Sequence, residues 1–222
     1  MRPIAGFSDC AARSRMHDAL AALLVASPGS GPPGSPNLSS RFSATPLEGA
    51  NPLVLVIMGV SGSGKTTVAE ILAERLGWAF QEGDALHPQS NIEKMKAGQP
   101  LDDADRQGWL EAIAEWIERR LDAGESGLIT CSALKRSYRA VVNRRGSGVL
   151  FVVLAGSRAT IAPRLATRHA HFMPAGLLAS QLETLEDPRP DEPHIRVEID
   201  PAPGVIAERI LHELGAQLRR PS

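Results

Sequence analysis

The chain has 222 residues, enough for one α/β domain with a large core, and 24 Lys and Arg against 25 Asp and Glu leave a formal net charge of −1. That balance gives no global attraction for nucleic acid or an anionic membrane, so any affinity for anions has to be local. Two cysteines without metal spacing, Cys10 and Cys131, suit a reducing cytoplasm, and no apolar run reaches the length that spans a bilayer.

Residues 27–47 are dominated by Ser, Pro and Gly, so 1–51 reads as a disordered N-terminal extension and 52–220 as the folded domain. An Ala/Leu run at 19–26, with Arg2, Arg13 and Arg15 before it, resembles a weak targeting segment. Asp9, Asp18 and the lack of a small-x-small cleavage site argue against export and for a cytoplasmic protein.

The apolar run 53–58 reads as a strand buried on both faces of a parallel sheet. It leads into Gly59, Val60, Ser61, Gly62, Ser63, Gly64, Lys65 and Thr66, a complete G-x-x-x-x-G-K-[ST] loop. A helix follows over 67–76, with Val68, Ile71, Leu72 and Leu76 as its apolar stripe and Gly77 as its stop. Strand, glycine loop and helix together aim backbone N–H groups and a positive helix end at one spot, which binds polyphosphate.

Farther along, 78–81 reads as a short strand ending in the acidic Glu82-Gly83-Asp84. Helices are expected over 91–97 and 105–123, a strand over 127–130, a basic helix over 135–144 and a second long apolar strand over 149–154. A helix at 158–168 contains Pro163, which removes one backbone bond or bends it. A His/Pro-bearing loop, a helix at 175–185, a strand at 195–199 and an amphipathic helix at 205–218 complete the chain. Buried strands alternating with helices imply an α/β fold of three layers, αβα, with a parallel sheet and ligand sites at the carboxyl ends of its strands. Trp109 and Trp116, seven apart on one helix, are expected to pack rather than to bind ligand.

No base-reading Asn-Lys-x-Asp element is present, which argues against a GTPase. Neither 128–130 nor 150–154 ends in a carboxylate, which argues against a motor or transporter ATPase. Carboxylates after the second strand suit a small-molecule kinase. Four blocks then resemble the gluconokinase family: Gly59 to Lys65; Gly83-Asp-Ala-Leu-His-Pro88 through Asn91, Lys94-Met95, Gly98-x-Pro-Leu101 and Asp105-Arg106; Cys131 to Arg139; and His171-Phe-Met-Pro174 with Ser180-Gln181 and Leu185-Glu186. They run in family order across residues 53–218, with small departures at Thr66, Gly108 and Leu182.

The resemblance implies a P-loop NTPase fold of the nucleoside and shikimate kinase type, with a lid at about 165–178. It also implies ATP and Mg²⁺ as cofactors, D-gluconate as the small-molecule substrate with 6-phosphogluconate as product, and a homodimer. The N–H groups of Ser61 to Thr66 are then expected to cradle the β-phosphate, Lys65 to bridge the β- and γ-phosphates, and the Thr66 hydroxyl to ligate Mg²⁺. Glu82 is the candidate to hold a Mg²⁺-bound water. Asp84 is the candidate to orient the attacking hydroxyl, or to deprotonate it. His87, Asn91 and Lys94 share one face if helical and are candidates for the sugar chain. Lys135, Arg136 and Arg139 form a cationic group suited to a carboxylate or phosphate. Arg164 and Arg168 precede the Pro-containing loop of the lid, and Arg168 is favoured to close on the γ-phosphate. His169 and His171 lack a third ligand and are not read as a metal site. Solvated turns and exposed helix faces remain the alternative for each of these charged groups. A kinase for another hydroxy acid or shikimate, and a nucleotide-binding switch without catalysis, remain the rival functions.

Overall fold

The computed structural model describes residues 51–166 and 175–219. The N-terminal extension, most of the segment read as a lid, and Arg168, His169 and His171 within it lie outside the described residues.

In chain order come β1 (Val54–Met58), α1 (Lys65–Leu76), β2 (Ala79–Gln81), a 3₁₀ turn (Gly83–Leu86), α2 (Gln89–Lys96) and α3 (Asp103–Asp122). After them follow β3 (Gly127–Thr130), α4 (Arg136–Val142), β4 (Val149–Ala155), α5 (Arg158–Ala166), α6 (Ala175–Thr184), β5 (His194–Glu198) and α7 (Pro203–Arg219). The strands pair in the order β2-β3-β1-β4-β5, every pairing parallel, with Ile57 opposite Thr130 and Met58 opposite Val153.

β1 shows why its sequence is apolar at every position. Leu55 and Ile57 face α1 and α7, where Val68, Leu72, Ile206 and Ile210 meet them. Val54, Val56 and Met58 face the opposite layer, against Trp109, Ile113 and Ile117 of α3 and Tyr138 of α4. β4 divides in the same way, Val152 and Leu154 to one side, Phe151 and Val153 to the other. Each such side chain stabilises the fold by about 1.5–3 kcal/mol through burial, so both faces of the sheet are covered and three layers result. Trp109 is indeed a packing residue, and Trp116 packs partly buried against the same cluster.

Local chemistry sets the helix ends. α3 starts on a capping box in which the Asp102 carboxylate accepts from the Asp105 N–H at 2.8 Å and Asp105 accepts from the Asp102 N–H at 3.0 Å. α5 accommodates Pro163 and forgoes the one backbone bond that its nitrogen cannot donate. Because β3 lies between β2 and β1, the carboxyl ends of all three strands meet. The phosphate loop, Glu82 and Thr130 are thereby brought to one place.

Candidate active site

The loop leaves β1 and enters α1 through Gly64, which stands at φ 93 and ψ 20 as the N-cap. This left-handed conformation suits glycine, and its lack of a side chain leaves the first-turn N–H groups of α1 without a side-chain cap. Such a helix start has donors and a positive end to offer an anion. Lys65 Nζ donates to the carbonyls of Gly59 and Val60, each at 3.2 Å, holding its charge over the loop. Ser63 Oγ is buried in the loop without a hydrogen-bond partner among the described residues. The Ser61 N–H donates to Gln181 Oε1 of α6 at 2.7 Å.

Thr66 Oγ1 donates to Glu82 Oε2 at 2.7 Å, and the Thr130 hydroxyl donates to the other oxygen of the same carboxylate. This oxygen cluster, at the foot of a phosphate loop, is the donor chemistry that a hard cation such as Mg²⁺ accepts. The strand carboxylate missing from β3 is thus supplied from the end of β2, with Thr130 as its anchor. Next to it, the Gly83 N–H donates to Thr130 Oγ1 at 2.9 Å, and the buried Trp109 Nε1 donates to the Gly83 carbonyl at 2.7 Å. A Cβ on Gly83 would run into the Thr130 carbonyl oxygen, so close packing alone demands glycine.

That pinned turn presents Asp84, whose exposed carboxylate has no hydrogen-bond or ion-pair partner among the described residues. His87 stacks on Trp109 with ring centroids 4.3 Å apart, and burial lowers its pKa, Arg106 adding to the effect and Asp84 opposing it. Cys131 is buried behind the site, and burial pushes its thiol up to about 12. Asp84 raises that value and Lys65 lowers it, so both lie within electrostatic reach of one sulfur. The thiol is protonated at neutral pH and serves as packing.

The cationic residues are distributed differently from the sequence expectation. Pro88 caps α2, so His87 precedes the helix rather than sharing a helical face with Asn91 and Lys94. Asn91 is buried and donates to the Asp105 carbonyl at 2.7 Å, and Lys94 pairs with the Asp105 carboxylate at 2.6 Å. Lys135 pairs with Asp103 at 2.7 Å, and Arg136 with Asp191 at 2.6 Å. Arg139 is 1% exposed and holds Glu192 through two nitrogens while Nη1 donates to the carbonyls of Ala133 and Glu186. Its guanidinium therefore faces the protein interior and corrects the substrate role expected for Arg139: it is a structural clamp. Arg164 donates to the Ile199 carbonyl at 2.7 Å.

A family model described as an AAA domain matches residues 54–188. The chain is 52% identical over 169 residues to the gluconokinase of Gluconobacter oxydans (strain 621H), covering 76% of this chain and 95% of that one. It is 43% identical over 159 residues to the thermoresistant gluconokinase of Escherichia coli (strain K12), covering 71% and 91%. A crystal structure of a gluconokinase from Sinorhizobium meliloti 1021 superposes with a TM-score of 0.67 at 46% identity, over 76% of this chain and 96% of that chain. The chain belongs to the gluconokinase family.

The candidate site of this gluconokinase-family chain lies at the carboxyl ends of β1, β2 and β3. Thr66 meets Glu82 beside the loop, and the adjoining turn carries Asp84 near His87. Sequence reasoning missed three participants. Thr130 was visible only as the residue ending a strand, Gln181 only as part of a motif, and Arg106 only as a neighbour of Asp105. Among the described residues no helix is long and apolar enough to cross a membrane, and no group of three or more His, Cys, Asp or Glu could hold a metal ion.

Proposed function

We propose that this protein transfers the γ-phosphoryl group of ATP to D-gluconate, producing ADP and 6-phospho-D-gluconate in the cytoplasm, where ATP is supplied. The observation that carries this reading is Asp84, an unpartnered carboxylate on a pinned turn beside a phosphate loop, in a gluconokinase-family chain. The loop N–H groups and Lys65 are assigned to the phosphates, where fixed positive charge offsets the charge of the transferring group. The sugar-acid hydroxyl oxygen forms a bond to the γ-phosphorus while the bond from that phosphorus to the bridging oxygen breaks. The bonding pair leaves with ADP, and the hydroxyl proton passes to Asp84. Thr66 and Glu82 are the oxygen donors assigned to Mg²⁺, which when bound offsets phosphate charge. Arg168 is assigned to the γ-phosphate as a lid residue, on its motif position alone.

A coupled assay across gluconate, other sugar acids and shikimate is the test. Gluconate is expected to show the highest kcat/KM; a preference for shikimate, or no turnover of any acid, overturns the reading. Asp84→Asn keeps the side-chain size and removes the charge. It should lower kcat/KM for gluconate by about 100-fold or more while the Kd for ATP, measured by calorimetry, stays within a few-fold.

A further inference from the structure

A cationic side chain is a strong partner for the carboxylate of a sugar acid, and the structure narrows the choice. Lys94, Lys135, Arg136 and Arg139 each sit on a carboxylate of the protein itself. Recruiting any of them would first break an internal pair. Arg106, on the first turn of α3 that faces the Asp84 turn, is the exception. Its guanidinium lies 5.8 Å over the Tyr138 ring, and Nη1 makes a long 3.4 Å contact to the Tyr138 hydroxyl. No carboxylate forms an ion pair with it among the described residues. Asp103, the acidic group within its electrostatic reach, already accepts from Lys135 and from the Tyr138 hydroxyl. Among the described residues the Arg106 guanidinium makes one hydrogen bond, through Nη1, and has no carboxylate partner.

Its location is equally specific. Arg106 and Asp84 both act on the His87 ring, Arg106 from α3 and Asp84 from the 3₁₀ turn. The Tyr138 ring and its hydroxyl hold the Arg106 guanidinium on one side, which limits the side-chain freedom it has to lose when a carboxylate arrives. An arginine beside an aromatic ring and without a carboxylate partner is suited to two parallel hydrogen bonds with a carboxylate.

We propose that Arg106 binds the carboxylate of the sugar acid and sets the selectivity for an acid over the corresponding polyol. This inference rests on the gluconate-kinase reading and replaces Lys135, Arg136 and Arg139 as the carboxylate site. Asp84 and Arg106 then grip opposite ends of one substrate, across His87.

Full-length wild type, Arg106→Leu and Arg106→Lys are compared in the coupled assay, with D-glucitol as a competing ligand in which CH₂OH replaces the carboxylate. Arg106→Leu should raise KM for gluconate by about 10- to 100-fold, the scale of hydrogen bonds to a charged group, with kcat changed far less. KM for ATP and the inhibition constant of glucitol should stay within about 3-fold, because neither ligand places a carboxylate there. Arg106→Lys should fall between, since it keeps the charge and loses the fork; it also carries the test if the leucine variant fails to fold. A gluconate KM near the wild-type value in either folded variant overturns the proposal, as does an equal loss for gluconate and glucitol. A wild type that phosphorylates no sugar acid overturns the underlying reading instead, so the two failures are distinguishable.

Discussion

Gly83 illustrates how one residue can position the proposed catalytic group, Asp84, through its backbone. Its N–H is held by Thr130, its carbonyl by the Trp109 indole, and the space for a Cβ is taken by the Thr130 carbonyl. Asp84 inherits its position from this three-way contact. Gly83→Ala must push β2 and β3 apart at their carboxyl ends, so we expect a stability loss of about 1–3 kcal/mol by urea unfolding. A displacement of Asp84 on the order of 1 Å should lower kcat by about 100-fold. Gly108 of α3 is the control, since a Cβ there meets nothing within 4 Å. Gly108→Ala should raise stability by about 0.4–1 kcal/mol with kcat unchanged. Equal effects of the two substitutions would show that steric closeness at Gly83 does not govern the site.

Elements differ in how openly the sequence announces them. β1 and β4 are continuous apolar runs because each must feed two cores, and the phosphate loop is fixed by glycine spacing; both were legible. α2 was expected from residue 91 and begins at Gln89, because Pro88 is extended and suits the position before a helix. What no local pattern reveals is which distant groups meet. Glu82 finds Thr130 across 48 residues, and Arg139 finds Glu192 across 53. The cationic group of α4 looked like a ligand site because its carboxylate partners lie far along the chain. The same blindness hid Gln181, which ties α6 to the loop at the Ser61 N–H. That N–H is also assigned to phosphate, and one N–H makes one strong bond, so carboxamide and phosphate compete. Gln181→Ala should tighten ADP binding by about 2- to 10-fold in calorimetry, the range for a single neutral hydrogen bond. Gln181→Glu, which brings negative charge toward the phosphates, should weaken it. Weaker binding in the alanine variant would instead make Gln181 a phosphate holder.

At the scale of the whole molecule, the Arg139–Glu192 pair joins three connections between elements that are distant in sequence. The guanidinium holds Glu192 before β5, the Ala133 carbonyl after β3 and the Glu186 carbonyl after α6. Ala133 is a non-glycine residue at φ 46, so the clamp fixes a turn that costs conformational energy. The Glu186 N–H donates to the Leu134 carbonyl at 2.8 Å, and the Glu186 carboxylate accepts from the Arg136 N–H at 2.8 Å, extending the same joint. Arg139→Leu removes the cation and leaves Glu192 buried without it, which should cost about 3–5 kcal/mol; Arg139→Leu with Glu192→Leu should recover most of that. The dependence on pH gives the sign. Burial pushes the Glu192 carboxyl up, but its hydrogen bonds to Arg139 and the Arg189 N–H outweigh burial and hold it below the ordinary range. Folding stability from this group is therefore complete above the ordinary carboxylate pKa and declines as acidification carries the pH down through the lowered folded value. In Arg139→Leu the hydrogen bond and charge of Arg139 are lost, while burial, the Arg189 N–H and the Arg136 charge remain. The folded carboxyl should then titrate higher than in wild type, and the deficit relative to wild type should shrink on acidification from about pH 7 to pH 4. The double variant, which lacks the carboxyl, should lack this pH-dependent deficit, and its KM for gluconate should stay within a few-fold of wild type because the clamp faces inward. Urea unfolding across pH checks the first point and the coupled assay the second. A deficit independent of pH would mean that Arg139 stabilises through packing alone, and a large rise in KM would return it to the substrate pocket.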